Sequence, residues 1–242
     1  METSTFDIGL APIGFISSCF KEKFGTPRQP GLAPSASARL QLVEPFNKRE
    51  MVRGLETFSH VWIQFIFHQA LRDGWKTTVR PPRLNGSERK GVLATRSPHR
   101  PNFIGLSAVR LEGIDFSDGV VLELGGVDLL DKTPVLDIKP YLRDTDCLTS
   151  AGFGWLSSEF SEMEVVFEDG ARQFCKDYQR ATGRLLAGLI KEVLRLDPRP
   201  AAQRGRKHEF AMLLFDVNIA WQVTDGVCRV VSCSRVAPDD SF

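Results

Sequence analysis

Short runs of alternating apolar and polar residues dominate the first 140 residues of the chain. In the segment HVWIQFIFHQ, residues 60–69, every second residue from 61 to 67 is apolar and faces one side of a predicted strand. Residues 107–142 predict three further strands, with turns at residues 117–119 and 131–134. Strands this close together, with no amphipathic helix between them, predict a mostly antiparallel sheet or barrel.

After residue 160 the pattern changes to one helix followed by strands. The segment FAMLLFDVNIAWQV-TDG-VCRVVSCSRV predicts a β-hairpin, and the small polar residues 146–160 predict a linker. We therefore predict a mainly β, α+β chain: an antiparallel β-barrel domain at residues 1–145 and a small α+β domain at 161–242. The predicted helix carries an apolar stripe of Leu185, Leu186, Leu189, Ile190, Val193 and Leu194.

The overall composition is that of a soluble globular protein without a large charge imbalance. The formal net charge is +1, so any nucleic-acid surface must be a local basic patch. The first residues lack the features of a targeting signal, and no apolar run approaches the roughly 20 residues that span a bilayer. Five cysteines without a C-x-x-C pair argue against a disulfide framework or zinc knuckle and fit a reducing cytoplasm. Four dispersed histidines give no metal-ligand spacing, so we predict no metal.

A concentration of positive charge lies in the segment VRPPRLNGSERKGVLATRSPHR, residues 79–100, where Glu88 is the single acid. Such a run is usually a solvated face. Here arginine outnumbers lysine and alternates with proline and glycine, which favours bidentate recognition of carboxylate or phosphate. A second stiff bend, GTPRQPG, presents Arg28 and Gln29. The cations that we predict to contact RNA are Arg83, Arg89, Lys90, Arg100 and Arg199.

The common nucleotide-binding and hydrolase motifs are absent. The segment VVLELGGVDLLD lacks the third glycine of a dinucleotide fingerprint, and no helix pattern follows it. No P-loop, H-E-x-x-H or G-x-S-x-G motif is present. These absences exclude a Rossmann-type enzyme.

Several long motifs occur together in a consistent order between residues 13 and 141. They are KEKFG and PRQPG, RGLETFSHVWIQFIFHQ, RPPRLNG, GVLATRSPHRPNFIGLS and DLLDKTPVLDIKPY, with DPRP following at 197–200. In these segments the chain resembles the TsaA/TrmO-like (YaeB-type) tRNA N6-methyltransferases. The chain departs from the family pattern at Phe103, where members usually carry proline, and at Ala202, where a tyrosine is expected.

The resemblance implies an S-adenosylmethionine-dependent enzyme on a non-Rossmann β-barrel, usually a homodimer, that acts in the cytoplasm. Its substrate would be N6 of threonylcarbamoyladenosine beside the anticodon of a threonine tRNA. The family's cofactor-binding positions match Pro27, Arg28, Gln29, His68, Gln69, Arg96, Leu106, Leu130, Asp131, Lys132 and Thr133.

The chemistry of that substrate suggests roles for the segment DIKPY. The target nitrogen is urea-like and a poor nucleophile, so it needs positioning or proton removal as the methyl group arrives. We predict Asp137, Lys139 and Tyr141 as catalytic residues, with Asp131 accepting hydrogen bonds from the ribose or the ammonium group of the cofactor. A cation among Arg28, Lys139 and Arg100 would read the threonyl carboxylate.

Two alternatives stay open at this point. A non-catalytic RNA-binding module would keep the basic loop but would have no need of the PRQ, HQ and LDKT segments together. The other alternative is a methyltransferase that acts on another substrate.

Overall fold

The structure is a computed structural model that describes residues 8–82, 88–156, 162–199, 203 and 209–236. The strands in chain order are β1 Gly14–Ser18, β2 Ser37–Leu42, β3 His60–Ile66, β4 Thr78–Val79, β5 Lys90–Gly91, β6 Ile104–Asp115, β7 Val121–Gly125, β8 Pro134–Pro140, β9 Glu164–Phe167, β10 Phe210–Leu214, β11 Val217–Thr224 and β12 Val227–Arg235. The helices are α1 Arg143–Asp146, α2 Asp169–Thr182 and α3 Leu186–Leu194.

Six strands form a closed barrel in the order β1-β2-β7-β6-β3-β8, and every neighbouring pair is antiparallel. The inner face is apolar because alternate side chains point inward; Val61, Ile63 and Phe65 of β3 are all buried there. The predicted barrel is thus confirmed, and so are the three strands of residues 107–142, which are β6, β7 and β8.

The antiparallel pairing brings six strand ends together. The last residues of β1, β3 and β7 and the first residues of β2, β6 and β8 all lie at the same end of the barrel, which we call the site end. The loops at this end carry the PRQ, HQ and LDKT segments. At the site end Gly105 approaches Phe65 so closely that a Cβ atom on it would lie 2.2 Å from the ring.

The C-terminal part is a four-stranded sheet, β10-β11-β12-β9, covered by helices. The predicted hairpin is confirmed: β11 and β12 are joined at Asp225 and Gly226, both with positive φ. The prediction omitted a second turn at residues 215–216, which separates β10 from β11, and it missed α2 and β9. Leu185 was wrongly placed in the buried stripe, since α3 begins one residue later and Leu185 is 57% exposed.

One continuous apolar core runs through both parts of the chain. Phe20 after β1 bridges to Leu130 on the barrel side and to Leu214 of β10 on the other. Glu192 of α3 accepts hydrogen bonds from the amide and the hydroxyl of Ser35, at 2.8 and 2.9 Å. The loop that precedes β2 is thereby tied to the helical layer. Among the described residues, no helix is long and apolar enough to cross a membrane.

Candidate active site

The LDKT segment enters β8 at the site end with its carboxylate already held in place. Asp131 Oδ1 accepts a hydrogen bond from the amide of Ser18 at 2.8 Å and pairs with Lys21 Nζ at 2.9 Å. Lys132 has a φ of 60°, a left-handed conformation that non-glycine residues seldom adopt, and its amide donates to Ile16 O at 2.7 Å. Such local strain is typical of functional loops.

His68 follows β3 and faces Thr133 at the start of β8. Its Nδ1 lies 3.5 Å from Thr133 Oγ1, and Thr133 is buried. Burial lowers the pKa of the His68 imidazole, against the opposing effects of a hydrogen bond with the Ile66 backbone and the charge of Asp131. The ring is therefore neutral at physiological pH and acts as a hydrogen-bonding group rather than a cation.

The PRQ loop (residues 25–31) and the arginine-rich basic loop (residues 79–100) contact each other through side chains. Arg96 donates to Gln29 Oε1, and the amide of Gly31 donates to Gly126 O at 2.8 Å. Pro27 is buried, whereas the side chain of Arg28 is exposed. Two segments that are 67 residues apart in the chain thus form one rim of the site end.

The remaining predicted cofactor positions lie along the same end. Leu106 of β6 is 54% exposed and lies opposite Gln64 on the outer face of the barrel, while Gln69 is exposed in the turn after β3. Leu130 is half-buried where it bridges to Phe20. All the predicted cofactor positions therefore lie on the site end or on the first residues of its strands.

A half-buried carboxylate at this end was not predicted. Asp128 Oδ1 accepts a hydrogen bond from the hydroxyl of the buried Ser107, at 2.6 Å. Burial raises the pKa of the Asp128 carboxyl to about 6, and the hydrogen bond from Ser107, followed by weaker effects that include the charge of Arg96, offsets this only in part. Two signals in the sequence point to this pair: an acid between apolar residues in GGVDLLD, and a serine on the inward parity of β6.

The three predicted catalytic residues lie on or just after β8, progressively farther from the site end. Asp137 lies opposite Gln64 of β3, and Gln64 Nε2 donates a hydrogen bond to Asp137 Oδ2 at 3.4 Å. Lys139 lies opposite Trp62 of the same strand. The ring of Tyr141 is 5.4 Å from that of Trp62. At about 3.3 Å per residue, Tyr141 is roughly 25 Å along the strand from the LDKT segment, and Asp137 is about 13 Å from it. Within one chain, only Asp137 is brought near the cofactor positions.

The predicted RNA contacts separate into different environments. Arg89 is exposed and donates to Thr78 Oγ1 at 2.8 Å, and Lys90 pairs with Glu88 at 2.6 Å. Arg100 is half-buried and donates one Nη to Thr95 O at 2.7 Å. Arg83 lies outside the residues that the structure describes, as does Ala202.

Arg199 requires a correction. Its side chain is 9% exposed, its Nε and Nη2 donate to the two oxygens of Asp197 at 2.7 and 3.1 Å, and its guanidinium lies over the ring of Phe210. A guanidinium enclosed in this way stabilises the fold and is not presented to RNA. The sequence analysis placed Arg199 among the RNA contacts, and its burial contradicts that prediction.

Phe103, which departs from the family pattern, has a φ of 53°. Its amide donates to Arg100 O at 3.1 Å, and its carbonyl accepts from the amide of Phe67 at 2.8 Å. A proline has neither that φ nor an amide hydrogen, so this loop has a local conformation that the usual family residue could not adopt.

Comparisons with known proteins identify relatives of this chain. The family model of the tRNA-methyltransferase O N-terminal domain matches residues 15–147, and that of the TrmO C-terminal domain matches residues 161–236. A tRNA (adenine(37)-N6)-methyltransferase of Escherichia coli is 48% identical over 217 residues, which cover 88% of this chain and 92% of that protein. A putative S-adenosylmethionine-dependent methyltransferase, RcsF, of Pseudomonas aeruginosa is 46% identical over 215 residues, covering 88% of this chain and 91% of that protein.

The same relationship holds for the three-dimensional structure. A crystal structure of TrmO from Pseudomonas aeruginosa superposes with a TM-score of 0.80 at 38% identity, over 95% of this chain and 99% of the other. Among the described residues, no group of three or more histidine, cysteine, aspartate or glutamate side chains could hold a metal ion. With both domain models matched and relatives similar over nearly their full length, the chain belongs to the TrmO family of tRNA methyltransferases.

Proposed function

We propose that this protein transfers a methyl group from S-adenosylmethionine to N6 of adenosine 37 of tRNA. The observation that carries the proposal is the convergence of the PRQ, HQ, basic-loop and LDKT segments on one end of a barrel whose sequence belongs to this family. The test is incubation with labelled S-adenosylmethionine and tRNA. Label that appears in the base next to the anticodon supports the proposal, and its absence from the RNA contradicts it.

The residues at the site end fit the chemistry of S-adenosylmethionine. The cofactor presents an adenine, a ribose diol, a sulfonium and an amino acid zwitterion. The site end offers carboxylates on Asp128 and Asp131, the cation Arg96 and the exposed apolar side chain of Leu106. Bound there, the cofactor would supply an electrophilic methyl group. The residues of the chain would orient the cofactor and exclude water.

We propose further that the accepted nucleoside is threonylcarbamoyladenosine. Its carboxylate calls for an arginine or lysine that plain adenosine would leave unpaired, and such a loss of pairing discriminates strongly between substrates. Arg28 and Lys139 are exposed, whereas Arg100 is half-buried. A carboxylate from solution can reach an exposed cation more readily, so Arg28 and Lys139 are the proposed readers of the carboxylate.

The catalytic roles that we propose depend on how far each residue lies from the cofactor positions. Asp137 lies nearest the cofactor positions and also accepts a hydrogen bond from the amide of Ile138 at 2.9 Å, so it acts as a fixed acceptor for the nucleoside. An exposed aspartate is a weak base toward a urea proton, and orientation of the substrate is the role that suits it. Lys139 and Tyr141 would contact the nucleoside or its neighbours farther along β8.

The active form that we propose is a homodimer in the cytoplasm. The separation of roughly 25 Å between Tyr141 and the LDKT segment is large for a single site in one chain. The outer face of the barrel also exposes Phe15, Ile104 and Leu106, by 43%, 37% and 54%. A second copy packed on this face would cover apolar surface and shorten that separation. Light scattering at micromolar concentration that shows a monomer would contradict this part of the proposal.

A further inference from the structure

Two carboxylates at the site end differ in whether a cation already neutralises them. Asp131 contacts Lys21 Nζ at 2.9 Å, so its charge is balanced within the chain. Asp128 accepts a hydrogen bond from Ser107 and, among the residues that the structure describes, has no ion-pair contact. Asp128 is half-buried. A carboxylate partly withdrawn from water without a contacting cation is unfavourable unless a bound group supplies the missing charge.

Arg96 is a cation whose charge acts on Asp128, and the two side chains together indicate what kind of group could bind between them. Arg96 acts on the Asp128 carboxyl through its charge without contacting it, and its Nη1 donates to Gln29. An acid and a base separated in this way match an amino acid zwitterion, whose carboxylate faces the arginine and whose ammonium faces the aspartate. The cofactor of the proposed function ends in such a zwitterion.

We propose that Asp128 binds the α-ammonium group of S-adenosylmethionine while Arg96 binds the α-carboxylate. This inference rests on the proposed function, and it makes Asp128 a cofactor-binding residue in addition to those that the family resemblance implies. Ser107 is a positioning residue: its hydroxyl occupies Oδ1, which orients the carboxylate and leaves Oδ2 for the ligand.

A pH dependence of binding follows from the same arrangement. An ammonium pairs with the ionised form of Asp128, and that form is present only above a pH of about 6. The other charged groups at this end do not mask the effect. Asp131 is paired with Lys21, the other charged side chains here are the cations Arg28, Arg96 and Lys132, and burial lowers the pKa of His68, whose titration Asp128→Asn leaves in place. Affinity should therefore rise as the pH increases through about 6.

The test is calorimetric titration of the whole chain with three probes: S-adenosylmethionine, S-adenosylhomocysteine, which lacks the sulfonium, and 5′-deoxy-5′-methylthioadenosine, which lacks the amino acid. Asp128→Asn keeps the acceptor for Ser107 and removes the charge. We expect this substitution to lower the affinity for the first two probes by about 10- to 100-fold and the affinity for the third by less than about 3-fold. Asp115→Asn, which removes an exposed carboxylate at the opposite end of the barrel, is the matched control and should change none of the three.

A second series measures the affinity for S-adenosylhomocysteine between pH 5 and 8. Wild-type affinity should fall below a pH of about 6, Asp128→Asn should lose that dependence, and Ser107→Ala should move the midpoint to higher pH while keeping affinity at pH 8. An equal loss of affinity for all three probes in Asp128→Asn would mean that the residue only shapes the pocket. Loss of S-adenosylmethionine alone would assign Asp128 to the sulfonium, and no loss would remove it from the site; each result overturns the inference by itself. Failure of the wild type to bind any probe would overturn the proposed function as well.

Discussion

Asp128→Asn should make the protein more stable at neutral pH, although we expect it to weaken cofactor binding. Burial raises the pKa of this carboxyl from about 4 in an unfolded chain to about 6 in the folded one. A raised carboxyl pKa means that the folded state holds the proton more tightly, so stability is lost as the pH rises from about 4 to about 6. Two pKa units correspond to roughly 3 kcal/mol of unfolding free energy.

Asparagine removes this cost because it is uncharged at every pH and can still accept the hydrogen bond from Ser107. In a chain of 242 residues, 3 kcal/mol corresponds to a rise in Tm of about 6 to 12 °C. Urea unfolding at pH 7.5 and pH 5.0 measures the difference in free energy directly. We expect a gap of about 3 kcal/mol at pH 7.5 that narrows to about 1.5 kcal/mol at pH 5.0, where the wild-type carboxyl is mostly protonated when folded.

Two results would refute this reasoning. If Asp128→Asn is no more stable than the wild type at pH 7.5, the carboxylate is not costly to bury. If the gap does not depend on pH, the stabilisation has a cause other than the charge. The expected gain in stability with a loss of ligand affinity is the usual trade-off at a binding site.

Three further predictions concern cationic residues and the departure at Phe103. Arg96→Ala should lose cofactor affinity in calorimetry, whereas Arg89→Ala should keep it and flatten the salt dependence of tRNA binding by about one unit of slope; equal loss of cofactor affinity in both would dissolve the distinction. Arg199→Ala should lower the free energy of unfolding by roughly 1.5 to 3 kcal/mol, because it removes two charge-assisted hydrogen bonds to Asp197, and unchanged stability with weaker tRNA binding would contradict the structural role of this guanidinium. Phe103→Pro should cost at least about 2 kcal/mol in urea unfolding, since proline cannot adopt its φ of 53°, and a neutral effect would show that the loop rearranges freely.

The barrel could be predicted from the sequence because its strands alternate with a period of two over short, well-punctuated segments. The segment around Val61 and Ile63 shows this most clearly, since both residues are fully buried on the inner face. α2 was missed although Ala171, Cys175 and Tyr178 are buried at helical spacing. Its remaining positions are largely polar, and such a helix shows only a weak apolar signal.

The site was predictable where one motif carries its own chemistry and unpredictable where contacts join distant segments. The PRQ and LDKT segments were recognisable as motifs, but the pairing of Gln29 with Arg96 depends on how the barrel closes. Arg199 shows the converse case. Its charge suggested a surface role, and only the packing of the DPRP turn shows that its partner is Asp197, two residues earlier.

The central claim is that this chain methylates N6 of the threonylcarbamoyl-modified adenosine of tRNA from S-adenosylmethionine. The most direct measurement is single-turnover transfer of labelled methyl to two transcripts of the same tRNA, one that carries the threonylcarbamoyl group and one that lacks it. We expect label at adenosine 37 of the modified tRNA, with a rate on the unmodified tRNA lower by roughly 10⁴-fold in the favourable case. Equal rates would contradict carboxylate recognition, and no labelling of either RNA would contradict the assignment as a tRNA methyltransferase.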